Sequence, residues 1–116
     1  MDKEQIKHFV ARRVAKELKD GDVVNLGIGL PTLIPHYIEP DVRITLHSEN
    51  GLIGLCAKGE GAFPDEERYV VDPSGNPAGI ESDGVFFDSS LSFAIIRGGH
   101  VDKTILGSMQ VDERGD

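Results

Sequence analysis

DVVNLGIGLPTLIPHYIEPDVRITLHSENG, residues 22–51, decides the fold. It opens on Asp22-Val23-Val24-Asn25-Leu26, an apolar run that reads as a short strand. Gly27-Ile28-Gly29-Leu30-Pro31-Thr32 ends that strand. A helix is expected within 31–38, with Pro35 either in its first turn or forcing a late start, because proline lacks a backbone donor. After Glu39-Pro40-Asp41, a β-rich run covers 42–47. Strand, glycine turn, helix, strand is a β-α-β unit. It implies a parallel strand pair and an α/β fold.

The second strand ends on Ser48-Glu49-Asn50-Gly51. Side chains alternate faces along a strand, so Val42, Ile44 and Leu46 share one face. Arg43, Thr45 and His47 share the other, and Glu49 joins them if the extended geometry continues. Glu49 then lies just beyond the carboxyl end of a parallel strand, where open α/β sheets bind ligands. Asn50-Gly51 permits a tight turn that would hold the carboxylate in one orientation. An acid there can be a nucleophile, a general base or a metal ligand. It can equally be a solvated turn residue or an acceptor of local backbone N–H groups.

Outside this unit, residues 2–19 are expected to be a helix. Ile6, Phe9, Val10, Val14 and Leu18 recur at helical spacing, with Ala11 and Ala15 widening the stripe. Asp2 and Gln5 have capping-box spacing, and Asp20-Gly21 is a stop. Residues 57–84 hold five glycines and three prolines and are expected to be loops, a mobile flap with one short strand at Tyr69-Val70-Val71. Order returns at Gly84-Val85-Phe86-Phe87. Asp88 and Ser89 can cap a helix through Ile96, ended by Arg97-Gly98-Gly99. Residues 104–111 read as a strand, followed by a turn at 112–116. The chain stops inside that turn, so residues 1–116 are expected to be one domain, and either it is a truncated part of a longer chain or another polypeptide covers the strand edge.

The chain has 116 residues, 39% hydrophobic and 28% charged, which fits one folded domain and argues against disorder. Its formal net charge of −8 leaves no excess of Lys and Arg for binding nucleic acid and disfavours an anionic membrane surface. Cys56 is the only cysteine, so no internal disulfide can form and a reducing, cytoplasmic setting is expected. No apolar run reaches transmembrane length, and the charged N-terminus lacks the apolar stretch of a signal peptide.

Other candidates are weaker. Gly27-x-Gly29 would let a ligand come close to the backbone, but Thr32 stands where a third dinucleotide-fingerprint glycine would fall. Gly98-Gly99-His100 is either a helix cap or a backbone wall for a ligand. His36, His47 and His100 lack metal-ligand spacing, so no metal is expected. His8 is expected to face solvent and Cys56 to be a buried, inert thiol.

Ser48-Glu49-Asn50-Gly51-Leu52-Ile53-Gly54 resembles the S-E-N-G-x-x-G motif of family I coenzyme A transferases, in their B (β) subunit. Val24-Asn25-Leu26-Gly27-Ile28-Gly29-Leu30-Pro31-Thr32 is similar to another segment of the family. So are Asp83 through Ser90, Ser92-Phe93, Ile96 through Asp102, and Leu106 through Asp112. These islands fall in the family's order, and the acetate/butyrate–acetoacetate type is the most similar. The family's usual Gly-Pro continuation is replaced here by residues 55–64, and its later Gly-Gly-Ala segment falls beyond residue 116.

The resemblance implies a mostly parallel sheet with flanking helices in three αβα layers. It implies that Glu49 attacks an acyl-CoA thioester, giving an acyl-glutamyl anhydride and then an enzyme–CoA thioester that passes CoA to a second carboxylate. Coenzyme A is then a substrate, with no tightly bound cofactor and no metal. Gly27 and Gly29 become candidates to line the pocket and offer N–H donors to an oxyanion, with Ser48, Asn50 and Gly51 beside the nucleophile and Gly98 and Gly99 as weaker candidates. The implied partner is the A (α) subunit in a hetero-oligomer, and the piece alone is expected to be inactive. From the residues alone, two other readings stay open: a sugar-phosphate isomerase-like protein with Glu49 as general base, and a non-catalytic assembly module.

Overall fold

The computed structural model describes the backbone of residues 1–116 and the side chains of all but residues 66–68. The first helix, α1, spans Lys3–Ala15. Asp2 and Gln5 form the expected capping box, each side chain accepting the other's backbone N–H at 2.8 and 3.0 Å. The α-helix stops at Ala15, four residues before the expected end. Glu17 and Leu18 continue through tighter bonds to Val14 and Ala15. Only part of the apolar stripe is buried. Ala11, Ala15 and Leu18 reach the core, whereas Ile6, Phe9 and Val10 are exposed. The helix packs chiefly on the 3₁₀ segment Leu30–Tyr37 through its small residues, and the bulkier side chains at its start fall outside that contact. His8 does not stand free in solvent: its Nδ1 lies 2.5 Å from the Tyr37 hydroxyl, and Arg12 covers the same ring.

Five strands form one sheet in the order β4-β3-β2-β1-β5. They are β1, Val23–Leu26; β2, Thr45–Ser48; β3, Leu52–Ala57; β4, Ala78–Phe86; and β5, Lys103–Ile105. The expected β-α-β unit is present. β1 and β2 pair in parallel, from Val23 opposite Thr45 to Leu26 opposite Ser48. Its crossover is a 3₁₀ helix, Leu30–Tyr37, rather than an α-helix. Pro35 sits inside it and removes a donor that a continuous α-helical ladder would need. β2 begins later than expected, at Thr45.

β5 also pairs with β1 in parallel, but β3 and β4 are antiparallel to their neighbours. The sheet is therefore mixed, and the expected mostly parallel sheet is matched only in part, by the β2-β1-β5 pairs. The physical cause is Glu49-Asn50-Gly51: so short a link reverses the chain and can only place β3 antiparallel to β2. β4 was hidden by its glycines. Residues 78–84 lie in a nine-residue strand, not in a loop. Gly54 (φ +95°) and Gly84 meet across a register shift, where a Cβ on Gly54 would come within 2.8 Å of Gly84 Cα. Glycine here permits a bulged, close pairing rather than ending the strand. The short strand expected at 69–71 is a single bridge from Val71 to Pro77. The strand expected over 104–111 is only three residues long.

The layers follow from alternation along β1 and β2. Val24, Leu26 and Leu46 face α1 and the 3₁₀ helix, with Ile34, Ala11, Ala15 and Leu18 completing the main core. Asn25 and His47 face the other way. There the second helix, α2 (Ser89–Arg97), lies across β2 through the buried Ser92. Helix, sheet and helix give the expected three layers. A smaller core of Leu52, Val70, Ala78 and Ile80 holds the β3–β4 end. Among the described residues, no helix is long and apolar enough to cross a membrane.

Candidate active site

The turn from β2 to β3 is Ser48-Glu49-Asn50-Gly51. Gly51 N–H donates to the Ser48 carbonyl at 3.0 Å and closes it. Gly51 has φ +121°, and a Cβ there would lie 2.3 Å from the Phe87 carbonyl oxygen. Only glycine fits both the conformation and the space. Phe87 N–H in turn donates to the Gly51 carbonyl at 2.9 Å. Asn50 adds side-chain restraints. Its Oδ1 accepts from the Ser48 hydroxyl, and its Nδ2 donates to the Val71 carbonyl at 3.2 Å. Buried Ser48 precedes Glu49, which is half-buried, and exposed Asn50 follows. The carboxylate therefore stands where a rigid sheet end meets solvent.

Neighbouring loops converge on this end. β1 stops beside Ser48 and leads into Gly27-Ile28-Gly29. Gly29 N–H donates to the Ser74 hydroxyl at 2.9 Å. Ser74 belongs to a turn organised by the Asp72 carboxylate, which accepts from the backbone N–H groups of Ser74 and Asn76. The segment expected to be a mobile flap is thus tied to the site by Ser74 and by Asn50.

The expected oxyanion donors are already engaged. Gly27 N–H donates to the Ile105 carbonyl at 2.9 Å, extending the β1–β5 ladder, and Gly29 N–H serves Ser74. A Cβ on Gly27 would come within 2.9 Å of the Leu106 side chain. The space that glycine leaves there is filled by this chain. Gly98 and Gly99 are not brought together with Glu49. They cap α2 through bonds to Ala94 and Ile96. The following Asp102 N–H donates to Val23 at the start of β1, the opposite end of the parallel strands.

The sequence reading missed a buried polar chain directly beneath the turn. His47 Nδ1 is 2.9 Å from Asn25 Oδ1, and His47 Nε2 is 3.2 Å from Ser92 Oγ. Ser92 Oγ also lies 3.4 Å from the Ser48 carbonyl. All three side chains are at most 2% exposed. The Phe87 ring stacks on His47 with centroids 5.8 Å apart. Burial lowers the His47 pKa from its ordinary 6.5 and favours the neutral ring. The available signal was alternation: Asn25 and His47 occupy matched positions on parallel strands, on the face away from Val24 and Leu46. Among the described residues, no three or more His, Cys, Asp or Glu gather as metal ligands. Cys56 on β3 is half-buried rather than buried.

Residues 8–116 match the coenzyme A transferase family. The chain belongs to that family. It is 50% identical to the beta subunit of the acetate CoA-transferase of Escherichia coli over 110 residues, 95% of this chain and 49% of that protein. Against the beta subunit of a probable coenzyme A transferase of Bacillus subtilis, identity is 39%, covering 92% of this chain and 48% of the relative. Against the human mitochondrial succinyl-CoA:3-ketoacid coenzyme A transferase 2, identity is 43% over 92% of this chain and 20% of the relative. The chain thus spans about half the length of these bacterial relatives.

Proposed function

We propose that the protein to which this chain belongs transfers coenzyme A between a short-chain acyl-CoA and a free carboxylate, with Glu49 as the nucleophile. The observation that carries this is a half-buried carboxylate on a glycine-locked turn at the carboxyl end of two parallel strands, inside a family match of residues 8–116. Glu49 adds to the thioester carbonyl, and CoA thiolate leaves as the acyl-glutamyl anhydride forms. The thiolate then attacks the glutamyl carbonyl, giving a glutamyl–CoA thioester and freeing the first acid. A second carboxylate attacks that thioester and expels CoA thiolate. The thiolate takes the new acyl group and regenerates Glu49. Both halves are acyl exchanges of similar energy, so the demand on the protein is orientation and exclusion of water.

The acetate, butyrate or acetoacetate class is the proposed carboxylate range. Support comes from relatives named for acetate and for succinyl-CoA with 3-ketoacids. Coenzyme A enters as substrate, with no tightly bound cofactor. An A (α) subunit is the proposed partner in a hetero-oligomer, since relatives are named as beta subunits. The cytoplasm is the proposed setting.

The test is mass spectrometry of the complete protein, assembled with its partner, after exposure to acetyl-CoA or acetoacetyl-CoA. The Glu49 peptide gains the mass of CoA less one water. Glu49→Gln abolishes the adduct, and transfer falls at least about 10³-fold. An unmodified Glu49 peptide, or transfer at the original rate in Glu49→Gln, overturns the assignment.

A further inference from the structure

The buried chain Asn25–His47–Ser92 has no place in the mechanism above. None of the three can touch an acyl-CoA without unpacking, because each is at most 2% exposed. A polar network at such depth is costly unless every member is satisfied. Here no buried side-chain polar atom among the described residues lacks a partner. An apolar filling of this face would serve packing at least as well, so the network's geometry asks for another explanation.

The proton arrangement is determined by chemistry. An amide oxygen only accepts, so His47 Nδ1 carries the proton and donates to Asn25 Oδ1. Nε2 is then bare and accepts from the Ser92 hydroxyl. That hydroxyl has a single proton, so the Ser48 carbonyl, 3.4 Å from Ser92 Oγ, takes the minor share of a three-centre bond. That carbonyl also receives Gly51 N–H, the bond that closes the turn around Glu49. The network therefore runs from β1 through β2 to α2 and ends on the peptide preceding Glu49. The other side of the turn is held by the same cluster. Phe87, stacked on His47, bonds the Gly51 carbonyl through its N–H.

We propose that Asn25, His47 and Ser92 are positioning residues that fix the Ser48–Gly51 turn, and with it the direction in which Glu49 presents its carboxylate. This rests on the reading of Glu49 as nucleophile. A carboxylate is a weak nucleophile whose rate depends on alignment with the thioester carbonyl, and small displacements are expensive. The network contributes alignment, so its loss lowers the rate of adduct formation and leaves acyl-CoA binding nearly unchanged.

The experiment is rapid-quench mass spectrometry of the Glu49–CoA adduct in the complete, partner-assembled protein, at several acetyl-CoA concentrations. Ser92→Ala removes one hydroxyl and no carbon. It lowers the saturating rate of adduct formation about tenfold, with the half-saturating concentration within about twofold of the original. Ser92→Cys, which keeps a weaker donor, falls between the two. Glu49→Gln runs alongside. If it still forms the adduct, the nucleophile reading fails. If it forms none while Ser92→Ala and His47→Gln react at the original rate, the nucleophile stands and the positioning role is overturned. A Ser92→Ala effect confined to half-saturation also overturns it. Where His47→Gln does not assemble, the two Ser92 variants decide.

Discussion

On one face of the sheet, Val24, Leu26 and Leu46 meet Ile34, Ala11 and Ala15 without a polar atom among their side chains. One residue along the same two strands, Asn25 and His47 point the other way and meet Ser92 through hydrogen bonds. The strands and the register are shared, yet the chemistry is opposite. The apolar face gains its stability from area removed from water, which is indifferent to exact direction. The polar face gains little net energy from each bond, but each bond fixes an angle. A nucleophile that must aim is therefore better supported from the polar side, and the turn carrying Glu49 is fastened to that side through the Ser48 carbonyl.

The contrast can be tested by damaging each part in turn. Glu49→Gln gives the largest effect, a loss of transfer of at least about 10³-fold with melting temperature nearly unchanged, because the side chain is half exposed and its charge is not part of the core. Gly51→Ala acts on the turn that joins the faces. A Cβ 2.3 Å from a backbone oxygen, added to a left-handed conformation, costs at least about 3 kcal/mol, read as a lowered denaturation midpoint. Ile34→Ala on the apolar face costs about 2–4 kcal/mol through the cavity it leaves. In the surviving folded protein its adduct rate stays within about threefold of the original, the reverse of Ser92→Ala.

The smallest effect is a pH dependence. Burial holds the His47 pKa below its ordinary 6.5 in the folded state. Above that value both folded and unfolded chains carry the neutral ring, and the stability is fully present. As pH falls below it, the unfolded chain takes a proton that the folded chain refuses, so stability is lost down to the folded pKa, by up to about 1.4 kcal/mol per pH unit. Melting temperature should decline through this window in the original protein and less steeply in His47→Gln. Equal slopes would mean that His47 is not held neutral by the fold.

Much of this was legible along the chain. The β-α-β order, the Asp2–Gln5 capping box and the Asp88 cap of α2 are local chemistry, and each formed where its residues stand. Glu49 could be singled out because a strand ending and Asn50-Gly51 are both readable from neighbours in sequence. The antiparallel half was not legible in the same way. Gly84 falls within the expected loop until the opposing strand shows that Gly54 meets it too closely for a Cβ, and that a Cβ on Gly84 itself would strike Ile80. Gly27 looks like an opening for a ligand until Leu106 fills it, and the two N–H groups expected to await an oxyanion are held by Ile105 and Ser74.

By itself, then, the sequence determined the elements that depend on near neighbours: the capped helices, the parallel pair and an acid at a strand end followed by a turn. Only the tertiary structure decided what lies under that acid. Asn25, His47 and Ser92 are separated by 22 and 45 residues along the chain, and nothing in the local pattern of any one of them requires the others. Their meeting depends on strand register and on where α2 lands, both set by packing over the whole sheet. A hydrogen bond is sensitive to tenths of an ångström, so its partners become definite only when those long-range contacts are in place.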